Sequence, residues 1–274
     1  QSRSSAASDV YKRQVYNHVG IPNHLACLDR ELYFSTDEIG RLTNHSGCGN
    51  DLDCESEPPR KLVIDSVSYL VRTFDIDGFR FDLGELLGIG LLNEIEDELK
   101  KIKPGIILIA EPWSFRGRLP AEINRTGYSL WSDSCREGIL EFVQQDCPDP
   151  RVALDLLQGT LDKENRHPWQ SVNYLESHDD YAFIDRLCQP HDYEDDKPPA
   201  ELESKVRLAL GLVLLSPGIP MLSAGQDFLR GKQGVRNTYL RGDLNALDYS
   251  KTSKFEELGE WVRSLIELRL SSCL

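Results

Sequence analysis

No apolar run in the 274 residues reaches the ~20-residue length of a membrane span, so no membrane-crossing helix is expected. A basic surplus is missing too: 31 Lys and Arg stand against 45 Asp and Glu, a net charge of −14. Without a basic stripe to neutralise phosphates, nucleic acid is disfavoured as a partner. A soluble acidic surface is the expectation, with a neutral or cationic ligand compatible with it. The 7 cysteines, at positions 27, 48, 54, 135, 147, 188 and 273, form no C-x-x-C pair, which argues against a zinc or redox site. Cys48 and Cys54 are spaced to bridge in an oxidising compartment; scattered reduced thiols, leaning toward the cytoplasm, are the expectation. There are no internal repeats, low-complexity tracts or heptads, and nothing marks a linker.

What is present alternates between strand and helix. Residues 15–18 read as a strand end and 21–57 as a long structured loop. Pro58 and Pro59 open a helix in which Val63, Val67, Leu70, Val71 and Phe74 recur at helical spacing. "IDGFRFD" follows as a strand, and a helix over about 89–103 puts Leu91, Ile95, Leu99 and Ile102 on one face. "IILIAE" is a continuous apolar run, the mark of a parallel strand covered on both faces. Residues 112–150 are less regular. After them come a helix near 150–160, "SVNYLESHDD" as a strand ending in charge, a helix over 205–215, "PGIPMLSAG" as a strand with its turn, and a last helix over about 254–270. This order implies a parallel sheet with helical crossovers, either doubly wound or a (β/α)8 barrel. No G-x-G-x-x-G follows a strand, so the dinucleotide-binding version loses its support. A barrel gathers functional residues at the C-terminal ends of several strands, and this chain does so.

In "DGFRFD", Phe79 and Phe81 share one face and Gly78, Arg80 and Asp82 the other. The phenylalanines are expected under the helices, the charges in the barrel mouth. A buried Arg–Asp pair adds little net stability, because desolvation offsets its attraction, so stability alone is a weak reason for it. Glu111 ends "IILIAE", and Glu176, His178, Asp179 and Asp180 cluster at the end of "NYLESHDD". Any one of these acids fits a strand meeting water; three successive strands ending in acid suggest chemistry. Glycoside hydrolysis needs one carboxylate and one carboxylic acid flanking the scissile bond. Arg80 would keep Asp82 ionised, and Glu111 would need its pKa raised to hold a proton near neutral pH.

At this point five motifs occur in order: "VYNH" (15–18), "DGFRFD", "IAEPW", "ESHDD" and "GIPMLSAGQDF". Together they resemble the α-amylase superfamily, glycoside hydrolase family 13, from about Val15 to Leu270. The resemblance implies Asp82 as nucleophile, Glu111 as general acid/base and Asp179 as the third carboxylate, with retention of configuration. It implies sugar binding by His18, Arg80 and His178. Trp113, Tyr128, Trp131 and Tyr181 are candidate stacking platforms, each as readily core, and Trp113 in "EPW" is included among the substrate-binding residues. No cofactor is expected. Asn17 is a calcium ligand in some relatives, but the partner ligands are not identifiable, because "KRQ" stands where the first motif usually carries an aspartate. The metal is therefore not carried over.

"GCGNDLDCESEPPRKLVIDSVSYLV" and "NTYLRGDLNALDYS" resemble isoamylases, glycogen-debranching enzymes and pullulanases. α-1,6 cleavage of a branched α-glucan or maltooligosaccharide is therefore the leading expectation. α-1,4 cleavage by an amylase or maltodextrinase is the runner-up, and a non-catalytic glucan-binding relative is the alternative from another class. "SSAASDVYKRQ" resembles translated sequencing adapter, so residues 1–14 are expected to be a non-native tail and 15–274 the catalytic barrel fragment. The fold expected is α/β: a partial (β/α)8 TIM barrel truncated at its N-terminal side, holding the end of strand 3 and strands 4 to 8. Open edges in such a barrel would leave little activity in isolation.

Overall fold

The computed structural model describes residues 11–20, 22–159, 167–188 and 200–272. The chain divides into two compact units between Trp131 and Ser132. Among the described residues no helix is long and apolar enough to cross a membrane.

The first unit is a parallel sheet under helices. Its strands are β1 (Tyr11–Gln14), β2 (Gly78–Phe81), β3 (Ile107–Ala110) and β4 (Tyr128–Trp131), paired in chain order with Arg13 beside Arg80, Arg80 beside Ile109 and Ile109 beside Ser129. Three helices interleave: α1 (His24–Tyr33), α2 (Glu57–Phe74) and α3 (Gly84–Ile102). Strand residues alternate in direction. Phe79 and Phe81, Leu108 and Ala110, and Tyr128 therefore pack with Val63, Val67 and Val71 of α2 and Leu87, Leu91, Ile95 and Leu99 of α3. Arg80, Ile109 and Ser129 take the opposite face by the same alternation.

Several expectations shift here. The expected loop over 21–57 contains α1, capped by the Asn23 side chain, which accepts from Ala26 N at 3.2 Å. α3 begins before residue 89 because Gly88, at φ +75°, offsets its first turn from the Leu91–Leu99 stripe. The irregular 112–150 stretch contains β4, so the strands ending in acid are not successive: β4 separates β3 from the strand that leads to Glu176. The first strand covers 11–14 and not 15–18. Tyr11–Gln14, expected outside the fold, pair with Gly78–Phe81. Backbone pairing uses N–H and C=O groups that every non-proline residue supplies, so polar composition did not exclude them. Residues 1–10 of the expected tail lie outside the described residues.

In the second unit α4 (Asp133–Gln144), α5 (Pro150–Gln158), α6 (Phe183–Leu187), α7 (Ala200–Leu215), α8 (Gly242–Asn245), α9 (Lys251–Lys254) and α10 (Glu256–Ser271) accompany β5 (Ser171–Tyr174) and β6 (Ile219–Met221). The two strands are parallel, Val172 beside Ile219. The C-terminal half of α7 is buried through Val206, Ala209, Leu210, Leu212, Val213 and Leu214, packed among residues of α4, α5, α6 and α10, while Glu201, Ser204 and Leu208 stay exposed. The helix carries Glu201, Glu203, Lys205 and Arg207 in its N-terminal half and turns apolar where it is enclosed. Its C-terminal carbonyls need partners, and Arg269 of α10 supplies them: Nη1 donates to Leu214 O at 2.7 Å and Ser216 O at 2.8 Å, and Nη2 to Gly218 O at 2.6 Å.

Arg269→Ala removes three charge-assisted bonds from part-buried carbonyls. It is expected to destabilise the second unit by about 2 kcal/mol, seen as a lower thermal midpoint in calorimetry.

Candidate active site

The first unit assembles its candidate site around one arginine. Arg80 is 1% exposed. Its Nη1 donates to Asp82 Oδ1 at 2.5 Å and its Nη2 meets Glu111 Oε2 at 2.8 Å as an ion pair. The guanidinium carbon lies 4.3 Å from the centroid of the Trp131 ring, a cation–π contact. β2 places Arg80 and Asp82 two residues apart on one face, β3 ends at Glu111, and β4 ends at Trp131. Neighbouring strand ends thus converge on a single cation.

Both carboxylates are fixed through the backbone as well. Asp82 N donates to Gln14 O at 2.9 Å, and Asn17 Nδ2 donates to Asp82 O at 2.7 Å and lies 3.5 Å from Asp82 Oδ2. Because Asn17 Nδ2 points at Asp82, Asn17 Oδ1 is the atom facing His18 Nδ1 at 2.6 Å. That ring nitrogen must therefore donate, which fixes the tautomer. Asp51 backs this segment: His18 bridges it antiparallel, and its carboxylate accepts from His45 N and Ser46 N. Burial alone would raise the Asp51 pKa; the hydrogen bonds from Ser46, His45 and Thr43 outweigh it and hold the carboxyl below its usual value.

Glu111 is held on three sides. Its N donates to Phe81 O at 3.0 Å, its carbonyl accepts from Gly84 N at 2.8 Å, and its Oε2 accepts from Leu83 N at 2.8 Å. Leu83 adopts φ +42°, ψ 53°, a left-handed conformation costing a non-glycine residue roughly 1–2 kcal/mol. It turns the chain after Asp82 so that two consecutive N–H groups face Glu111. A Cβ at Gly84 would stand 3.0 Å from Glu111 O and 3.2 Å from the Ala110 Cβ, so glycine is what permits this approach.

The aromatic candidates separate. Trp113 packs edge-on to Trp131, centroids 6.4 Å apart, with Arg118 5.5 Å from its ring, and it is only partly buried. Trp131 is buried under Arg80, and Tyr128 is wholly buried with its hydroxyl donating to Leu92 O at 3.1 Å; both belong to the packing. Tyr181, in the second unit, is exposed. Cys48 and Cys54 are both free thiols, and burial pushes the Cys54 thiol up to about 12. Among the described residues no group of three or more His, Cys, Asp or Glu could hold a metal ion.

The second unit carries the other expected residues on the turn after β5. His178 and Asp179 are exposed, His178 Nε2 lying 3.0 Å from Asp179 Oδ2. Glu176 is buried, its Oε2 accepting from Phe183 N, and its Oε1 has no hydrogen-bond partner among the described residues. Burial raises its pKa to about 7 against the pull of Phe183 N, Arg230 and Lys232. Three supporting roles were missed in the sequence: the Leu83 backbone, the amide of Asn17 turned toward Asp82, and Lys232. Only the unusual position of a lysine between two glycines, "GKQG", marked the last.

No protein-family model matches the chain. The pullulanase of Bacillus subtilis (strain 168) is 32% identical over 260 residues, 86% of this chain and 36% of that protein. The glycogen debranching enzyme of Yersinia enterocolitica serotype O:8 / biotype 1B is 28% identical over 284 residues, 88% of this chain and 42% of that protein. Among solved structures, a pullulanase from Anoxybacillus sp. LM18-11 complexed with maltotetraose matches with a TM-score of 0.85 at 31% identity, covering 95% of this chain and 41% of that one. The chain is similar to pullulanases and glycogen debranching enzymes, and its fold class is α/β, a partial (β/α)8 barrel. It spans 36% to 42% of the length of these two curated relatives.

Gly84→Ala is expected to push the start of α3 off the end of β3, destabilising the first unit by about 1–3 kcal/mol, read by thermal unfolding. Glu176 gives a pH signature. Its folded pKa is raised from 4.5 to about 7, so the stability it contributes is fully present below pH 4.5 and lost as pH rises through about 7. The span corresponds to on the order of 3 kcal/mol. Glu176→Gln is expected to flatten that slope in melting curves taken from pH 4.5 to 8.

Proposed function

We propose that the chain carries the catalytic residues of a retaining glycoside hydrolase acting on α-1,6 branch points of α-glucans. The observation that carries the reading is the single Arg80 guanidinium shared by Asp82 and Glu111. Two carboxyls drawn to one cation suit the short separation of a retaining pair, about 5–5.5 Å, better than the wider gap that holds a water in inverting enzymes.

In this reading Asp82, held ionised by Arg80, attacks the anomeric carbon and forms a glycosyl ester. Glu111 gives its proton to the departing glycosidic oxygen. Glu111 then takes a proton from water, whose oxygen attacks the same carbon and releases Asp82. Asp179, in the second unit, takes the role of third carboxylate by the resemblance to glycoside hydrolase family 13 alone. His18, His178 and Trp113 bind the sugar. Arg80 acts through the carboxylates it touches, because its guanidinium is buried between them and the face of Trp131. In this reading the catalytic part of the chain includes Gln14, whose carbonyl accepts from Asp82 N. The α-1,6 preference is supported by similarity to proteins named pullulanase and glycogen debranching enzyme, and an α-glucan substrate by the maltotetraose complex of the Anoxybacillus sp. LM18-11 pullulanase.

One observation favours a second reading, a glucan-binding chain without turnover. Arg80 on Glu111 favours the ionised carboxylate, the wrong state for a general acid. Catalysis requires Glu111 to take up a proton from solvent before it can give one to the glycosidic oxygen.

Reducing-sugar release by the purified chain from pullulan and from amylose separates the readings. Slow release from pullulan, still above that from amylose and abolished in a folded Asp82→Asn variant, is expected. Preference for amylose would move the assignment to α-1,4 cleavage. Binding of maltotriose with no release from either polymer would establish the binding-only reading.

A further inference from the structure

Lys232 is 1% exposed and lies on the segment between β6 and α8. Its Nζ donates to Ser177 O at 3.3 Å, His178 O at 3.2 Å and Asp180 O at 3.1 Å. An ammonium has three protons, and all three go to carbonyls of one turn. The remaining carbonyl of that turn, Asp179 O, accepts from Ser177 Oγ at 3.3 Å, and Ser177 Oγ accepts from Asp179 N at 3.2 Å. Asp180 sits at φ +62°, a conformation such a clamp can hold. The clamp is itself fixed. Lys232 N donates to Asp185 Oδ2 at 2.6 Å, Val235 N donates to Lys232 O at 3.0 Å, and Gln233 and Gly234 both have positive φ. Arg236, from the same segment, reaches Asp180 Oδ1 at 3.1 Å.

We infer that Lys232 is a positioning residue that locks the backbone on both sides of Asp179, so that an otherwise solvent-exposed carboxylate is presented in one orientation. The inference rests on the proposed role of Asp179. Burying an ammonium is costly, and burial lowers the Lys232 pKa while Glu176 opposes the shift. An apolar side chain of similar length would fill the space at less cost. What it would not supply is three donors converging on three carbonyls. Arginine keeps the charge, but its planar fork does not match that convergence.

The test compares Lys232→Met and Lys232→Arg with the unaltered chain. One readout is amide hydrogen exchange at residues 178–181, with circular dichroism as the fold control. The other is kcat and KM on pullulan. Lys232→Met is expected to speed exchange at these amides on the order of 10²-fold while leaving α7 protected. It is expected to lower kcat by a similar factor with KM within about threefold, and Lys232→Arg is expected not to restore either. If Lys232→Met does not fold, Lys232→Gln, which retains two donors, takes its place and is expected to fall between. Unchanged exchange at 178–181, or full recovery with Arg, overturns the inference. An unaltered chain that releases no sugar would count against the hydrolase proposal alone, and the exchange comparison would still decide the role of Lys232.

Discussion

A guanidinium buried to 1% exposure has to be neutralised where it sits, because removing an unpaired charge from water costs several kcal/mol. Asp82 and Glu111 neutralise Arg80 and Trp131 covers its face, but only Nη1 is hydrogen-bonded, to Asp82; Nε and Nη2 have no hydrogen-bond partner among the described residues. Its partners stand at or just beyond the ends of β2, β3 and β4, so the strands must be parallel, adjacent and in the observed register for the charge to be tolerated. The same alternation that points Arg80 one way points Phe79 and Phe81 the other, into the helices. The site and the core of the first unit are therefore two faces of one sheet.

Around that cation, backbone geometry does much of the orienting. Leu83 accepts a left-handed conformation, and in return two successive N–H groups hold Glu111 at its carboxylate and its carbonyl. Asp82 is held from the other side by Gln14 and Asn17. Backbone donors held by the sheet and by the Leu83 turn present their partners in a defined direction, which is the condition for precise placement of reacting carboxyls. A strained residue beside the proposed nucleophile fits the general tendency of functional sites to hold strain.

The second unit solves a similar problem with a different cation. Lys232 and Asp185 fix the turn that carries His178 and Asp179, while Glu176 anchors the start of α6 from beneath it. The exposed side chains of the turn thus rest on a buried polar network. Arg269 does comparable work for the end of α7.

Periodicity made most of the helices and strands legible in the sequence. Val63, Val67 and Val71 recur at helical spacing, and "IILIA" has the continuous apolar character of a covered strand. Both patterns follow from which faces must be buried, and a single chain displays them without any knowledge of its partners. The carboxylates Asp82 and Glu111 were legible for the same reason, as charges where an apolar run stops. Short or irregular elements were not. β1 is four residues of backbone pairing with no apolar signature, α1 is interrupted at Asp29, and β4 hid in a polar stretch. Nor could the sequence show that Asp82 and Glu111 share Arg80, that Tyr128 and Trp131 are packing groups, or that Lys232 binds three carbonyls some fifty residues away. Those facts depend on which donor meets which acceptor across long separations in the chain. Local pattern records burial and conformation; only the folded register decides the partners.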